Sequence, residues 1–239
     1  MNFKRFALAV LLAGAATQAP AAMIAGSSLQ NVLNNITVGS DSSVDVQTDQ
    51  MDNDEMWSIT GSGGSVATIV IELAGYAGSN SFGIYDVSNP ANFVEIMGGS
   101  ASQGDQAFVS IKADGSVYVN NADTTVDFAD NLFGYYLNVA ATGNRFYSQQ
   151  ALNADGVDHL AAFQGNDSDI VQLPNLAPGV WTDNEYVLAF EDLWGGGDRD
   201  YTDFVAMVES VTPVPAPASL ALLALALAGL TISRRRKAA

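Results

Sequence analysis

The sequence predicts an all-β chain, an antiparallel β-sandwich or jelly roll, flanked by an N-terminal signal helix and a C-terminal transmembrane helix. Three observations carry this. Ten short runs rich in β-branched and aromatic residues recur at fairly even spacing. Gly, Asn, Asp and Ser separate them: Asp114-Gly115 stands where a two-residue hairpin turn belongs, and Asn153-Ala154-Asp155-Gly156 is a second turn signal. Helical patterns of any length occur only at the two ends, and no fixed-period repeat points to a propeller or solenoid.

Residues 1–21 open with Lys4 and Arg5, continue through an apolar run from Phe6 to Ala16, and end with Ala19 and Ala21 in A-x-A spacing. That order is a secretory signal peptide, to be cut by signal peptidase after Ala21. Residues 22–54, rich in Ser, Asp and Gln from Gly39 onward, read as a flexible acidic lead-in running up to the first strand. The sandwich domain is expected over 55–212, a length that supports one core. Its strands are expected at 56–60, 66–73, 81–87, 93–97, 107–112, 116–120, 132–140, 158–164, 185–192 and 203–210. Residues 213–239 form a separate tail.

Charge narrows the function classes. All twenty-six acids lie between Asp41 and Glu209, with only Lys112, Arg145 and Arg199 among them, so the interior carries a formal charge of −23 against −17 for the chain. Such a core repels nucleic acid and anionic membrane surfaces, and divalent cations relieve its self-repulsion. Calcium is therefore the first cofactor to consider. With no cysteine and one histidine, thiolate and multi-histidine metal sites are excluded.

The stretch FEDLWGGGDRDYTDFVAMV, residues 190–208, concentrates the acids. A strand runs into Glu191 and Asp192, three glycines follow, and Asp198, Asp200 and Asp203 precede the next strand. Glycines accept positive φ and let flanking carboxylates converge, and calcium takes six to eight oxygens at about 2.3–2.6 Å. The spacing is not that of an EF-hand, because Asp203 occupies the sixth loop position where that motif needs glycine. Two readings stand: a calcium site, or a solvated hairpin whose acids cap turns and protect an edge strand. Phe190-Glu191-Asp192 through Gly197-Asp198-Arg199-Asp200-Tyr201-Thr202-Asp203 resembles the signature of the DUF4114 family, whose pattern runs F-E-D-x-x-G-x-G-D-x-D-Y-x-D. SFGIYDVSNP and FYSQQALNADGVDHLAAFQG are similar to segments of exported bacterial proteins of that type, so the resemblance spans about 80–211. It implies a secreted β domain with a family-wide role for the acidic loop.

Catalytic readings are weak. His159 beside Asp158 and near Asp155 invites acid–base chemistry, but one histidine at a strand start is more often structural. No G-x-S-x-G occurs, and Gly195-Gly196-Gly197 lacks the Gly-Lys-Ser/Thr of a phosphate loop. The expectation is a non-enzyme. The alternative is a carbohydrate binder or weak glycosidase acting on exopolysaccharide, with Trp194 beside the acidic loop and Trp181 as stacking platforms, or paired carboxylates across a groove.

The tail, VPAPASLALLALALAGLTISRRRKAA, carries an uncharged run from Ala218 to Ser233 followed by Arg234, Arg235, Arg236 and Lys237. The run is short for a span but sufficient if Val214 to Pro217 reach the interface. The basic cluster stays cytoplasmic by the positive-inside rule, which places the acidic core outside the inner membrane. This three-part end resembles the PEP-CTERM sorting signal of Gram-negative bacteria: Val214, Pro215 and Pro217 match its proline motif, while Ala216 stands where the Glu is usual. The resemblance implies recognition by an exosortase, cleavage near the prolines, and passage from a transient inner-membrane anchor to the cell surface or extracellular matrix. If Ala216 blocks recognition, the segment remains a permanent anchor.

Overall fold

A computed structural model describes residues 22–61, 63–71 and 77–215. The expected signal peptide, the apolar run 218–233, and Ala216, Pro217, Arg234, Arg235 and Arg236 lie outside the described residues. Among the described residues no helix is long and apolar enough to cross a membrane.

Among the described residues one α-helix and fifteen strands follow in order, with three short 3-10 turns between strands: α1 (Ser28–Ile36), β1 (Trp57–Ile59), β2 (Ser65–Ile71), β3 (Asn80–Asp86), β4 (Asn89–Met97), β5 (Gln106–Ile111), β6 (Ser116–Val119), β7 (Ala122–Asp127), β8 (Phe133–Val139), β9 (Asn144–Tyr147), β10 (Leu160–Gln164), β11 (Ile170–Val171), β12 (Gly179–Val180), β13 (Glu185–Phe190), β14 (Phe204–Glu209) and β15 (Val211–Pro213). Every pairing is antiparallel. The first sheet runs β15-β1-β8-β3-β4 with β9 also on β8; the second runs β10-β13-β14-β2-β5-β6-β7; β11 and β12 form a small ribbon.

The two sheets face each other across one core. Trp57, Phe82, Ile84, Phe133, Tyr135 and Leu137 from the first meet Leu160, Tyr186, Leu188, Phe190, Phe204 and Ala206 from the second. Phe82 holds the centre: its ring stacks on Phe204 with centroids 4.9 Å apart, on Tyr135 at 5.4 Å, and meets Phe190 edge-on at 6.1 Å.

The β10-β13-β14 part of the second sheet is buried on both faces. Alternate residues of β13 and β14, namely Val187, Ala189, Val205 and Met207, turn away from the shared core and pack under α1 with Phe163, Trp181 and Tyr201. This explains why β13 reads as an unbroken apolar run rather than an alternating one. In α1, Leu29, Val32, Leu33 and Ile36 form the i, i+3, i+4, i+7 stripe that covers them.

The segment expected to be a flexible lead-in is therefore partly helical and tied down along its length. Gln30 is the clasp: its amide donates to the Val44 carbonyl at 3.0 Å and its Oε1 accepts the Val46 N–H at 3.0 Å. Ser42 and Ser43 both donate to Asp169 Oδ2, each at 2.8 Å. Buried Val44 and Val46 complete the second core. The turn at Asp114-Gly115 also differs in detail. Lys112 N–H donates to Ser116 O and Gly115 N–H to Lys112 O, so the hairpin loop has three residues, with Gly115 at φ +94°.

Candidate metal centre

β13 and β14 are neighbours, with Phe190 opposite Phe204, and the loop 191–203 closes that hairpin at one end of the second sheet. Both flanking rings contact Phe82, so the loop hangs from an aromatic clamp in the core. Gly195, Gly196 and Gly197 take φ of +76°, +80° and +42°, and Arg199 and Tyr201 also adopt positive φ, at +61° and +52°. The chain thus curls back on itself. A Cβ at Gly197 would fall 2.3 Å from Glu191 Oε1, so only glycine lets the backbone approach that carboxylate.

All five predicted ligands meet here. Glu191, Asp192 and Asp203 have carboxylate oxygens within 4.8 Å of one another, and so do Glu191, Asp198 and Asp200. Their environments differ. Glu191 is 0% exposed and Asp192 2%, Asp203 and Asp200 are half-buried, and Asp198 is exposed. Most are aimed by a neighbour. Asn80 at the start of β3 donates to Asp192 Oδ2 at 2.9 Å, Asp192 N–H donates to Asp203 Oδ2 at 2.9 Å, and Thr202 donates to Asp200 Oδ1 through its N–H (2.9 Å) and hydroxyl (2.8 Å). Glu191 is the exception, because neither of its buried oxygens has a hydrogen-bond partner.

Burial, followed by the charge of Asp203, the contact with Asp203 and the charge of Asp198, pushes the Glu191 carboxyl up to about 9; the Leu193 N–H opposes the rise without making a full hydrogen bond. Burial also raises Asp203 to about 6, although the Asp192 N–H opposes it, and raises Asp192. Leaving a buried carboxylate unpaired is costly. Converging carboxyls, one of them fully buried with no hydrogen-bond donor, are the environment that a hard, oxygen-seeking cation relieves. The EF-hand alternative is removed on structural grounds as well: Glu209, twelfth from Asp198, ends β14 opposite Glu185, a full strand away from the loop.

His159 is a support of this loop. It is fully buried and stacked on Phe146 with ring centroids 3.8 Å apart. Its Nδ1 lies 2.9 Å from the Glu191 carbonyl and its Nε2 2.9 Å from Asp155 Oδ2, and Asp155 in turn accepts the Gly195 N–H at 2.8 Å. Against the push of partial burial, the Gly195 N–H, the His159 ring and the Val157 N–H hold the Asp155 carboxyl below its ordinary range. Asp155 and His159 therefore brace the glycine turn from below.

Three features escape sequence reasoning. Asn80 lies 112 residues from the aspartate it orients, a pairing no local pattern announces. A second acidic group lies nearby. Asp54 is buried with Oδ2 unpartnered, and burial, then the charge of Asp158, raises it well above its usual range. Asp158 is pushed to about 7 by burial, with Glu55 adding to it, while the Leu160 N–H works against the rise. Tyr201 joins the two groups, donating to the Asp158 carbonyl at 2.6 Å. The two tryptophans also part company. Trp181 is 0% exposed, its indole N–H donating to Glu185 O at 3.0 Å, so it offers no face to a sugar and belongs to the core under α1. Trp194 is 58% exposed on the rim of the loop.

The fold and site define an antiparallel two-sheet β protein with a carboxylate-lined hairpin loop. Residues 102–211 match the model of the domain of unknown function DUF4114, and residues 213–237 match that of the PEP-CTERM protein-sorting motif. Residues 102–211 are thus similar to a DUF4114 domain and are followed by a match to a PEP-CTERM sorting motif, a motif that implies export and exosortase processing. The DUF4114 match holds the whole acidic loop but omits β1 to β4, which complete both sheets. The sorting-motif match begins at the last residue of β15: Trp57 pairs with Pro213, the Val214 N–H donates to Met56 O at 2.8 Å, and Pro215 is exposed. No curated protein and no solved structure matches the chain.

Proposed function

We propose that this is a non-enzymatic protein of the Gram-negative cell surface or extracellular matrix whose folded core is stabilised by calcium held in the 191–203 loop. The carrying observation is Glu191, whose two oxygens are wholly buried, unpartnered, and within reach of four other carboxylates. The ligand set is Glu191, Asp192, Asp198, Asp200 and Asp203. An all-oxygen set on a pliable glycine loop favours calcium over magnesium, which demands stricter octahedral geometry and keeps its waters. Calcium is abundant outside the cell, where the sorting motif sends the chain. The test is thermal unfolding in calcium and in chelator, with a large rise in calcium expected; identical curves at millimolar calcium would remove the stabilising role.

On this reading the C-terminal segment is a temporary anchor. Mass spectrometry of the mature protein should find a C-terminus close to Val214–Pro217, without the arginine cluster. An intact Arg234–Arg236 would instead make Ala216 the residue that turns an address into a permanent anchor.

A second reading rests on Trp194, whose exposed ring stands beside the acidic loop with Leu193 also exposed. An exposed aromatic next to a cation site suits a sugar ring, stacked on one side and bound through hydroxyls on the other. Binding to a glycan array that disappears in Trp194→Ala supports a carbohydrate-binding role in the exopolysaccharide matrix; no signal across neutral and anionic glycans counts against it.

A further inference from the structure

The five carboxylates fall into two trios that share a single member. Glu191 with Asp192 and Asp203 forms one, and Glu191 with Asp198 and Asp200 forms the other. Within each trio the oxygens lie within 4.8 Å of one another, so an ion at their centre lies within about 2.8 Å of each, and side-chain shifts of a few tenths of an ångström bring all three to calcium's roughly 2.3–2.6 Å.

We infer that the loop binds two divalent cations, bridged by the Glu191 carboxylate, an inference that rests on the calcium reading above. Glu191 has both oxygens buried and both without a donor; one ion satisfies both only by bidentate binding, whereas the division of the other acids into two trios on Glu191 suits one ion on each oxygen. The other ligands are apportioned by position. Asp192 and Asp203 lie at the strand ends beside the core, while Asp198 and Asp200 lie further along the loop toward solvent. The hydrogen bonds that aim Asp192, Asp203 and Asp200 each use one oxygen and leave the second for a cation.

Charge points the same way. When ionised, the five groups carry five negative charges, so one divalent cation leaves three of them and two leave one. Arg199 does not neutralise the remainder. Its Nη1 lies 3.1 Å from Met23 Sδ, and among the described residues it forms no ion pair with these carboxylates. A carboxylate-bridged pair of ions, about 3.5–4 Å apart as in other two-metal sites, matches this charge and this ligand partition.

The experiment is a calcium count on the full-length chain, purified in mild detergent, stripped with chelator and titrated with calcium chloride by calorimetry and equilibrium dialysis. Two ions per chain are expected. Asp198→Asn and Asp200→Asn change solvent-side residues and are expected to fold, each retaining one ion; Glu191→Gln should lose both. Circular dichroism of each variant separates lost binding from lost fold. One ion per chain in the parent protein overturns the bridged pair while leaving a single calcium site standing. No bound calcium overturns both. Two ions that persist in Asp198→Asn and Asp200→Asn place the second ion elsewhere and overturn its assignment to this loop.

Discussion

Removing calcium at pH 8 should lower the melting temperature by roughly 5–11 °C. A ligand at a hundred times its Kd stabilises the folded state by about 2.7 kcal/mol, and about 1 kcal/mol moves Tm by roughly 2–4 °C in a domain of this size. The effect should depend on pH in a defined direction. Glu191, Asp203 and Asp158 are pushed to about 9, 6 and 7, and Asp54 and Asp192 are also raised. Unfolded carboxyls titrate near 4. Between those values the folded protein holds more protons than the unfolded chain, so metal-free stability is greatest in acid and falls as pH rises from about 4 through 6, 7 and 9. Calcium competes with those protons and gains as they leave. Thermal unfolding monitored by circular dichroism should therefore show a small calcium effect at pH 5 and a large one at pH 8. A metal-free protein that becomes steadily more stable between pH 5 and 8 would contradict the geometry.

Phe82→Ala is the second large effect, with an expected cost of about 3–5 kcal/mol, or roughly 6–20 °C in Tm. The ring is fully buried and is the contact through which the first sheet grips both ends of the acidic hairpin. Because Phe204 follows Asp203 directly, the variant should also bind calcium more weakly. Urea unfolding checks the first expectation and calcium titration of the folded fraction checks the second. A loss below about 1 kcal/mol would mean that the two sheets do not meet at this ring.

What the sequence showed, and what it hid, follows from where each stabilising contact comes from. All ten expected strands lie on observed ones, because their apolar runs face a core on at least one side. β7, with the sequence ADTTVD, was invisible: it is the outermost strand of the second sheet and mostly exposed, so it carries no hydrophobic pattern. β11, β12 and β15 are two or three residues long, too short for a period to appear. α1 has a clear apolar stripe but only nine residues, and Ser27 provides no side-chain cap. The acids of the loop were legible as a local cluster. The total burial of Glu191 was not, since it depends on β10 lying beside β13 and on His159 gripping the Glu191 carbonyl. For the same reason Trp181 and Trp194 looked equivalent in sequence, although a tertiary contact with α1 decides which one is exposed.

The central claim is that Glu191 is present to hold a cation, and the sign of one substitution tests it. Glu191→Gln removes the titrating carboxyl while keeping the shape of the side chain. Without metal it should raise Tm at pH 8, because the parent must hold on Glu191 a proton that the unfolded chain releases near pH 4, a cost the amide does not bear; in millimolar calcium it should lie below the parent protein, because the ligand is lost. That crossover between chelator and calcium is the predicted result. Parallel behaviour, with Glu191→Gln less stable than the parent in both conditions or more stable in both, would contradict the account.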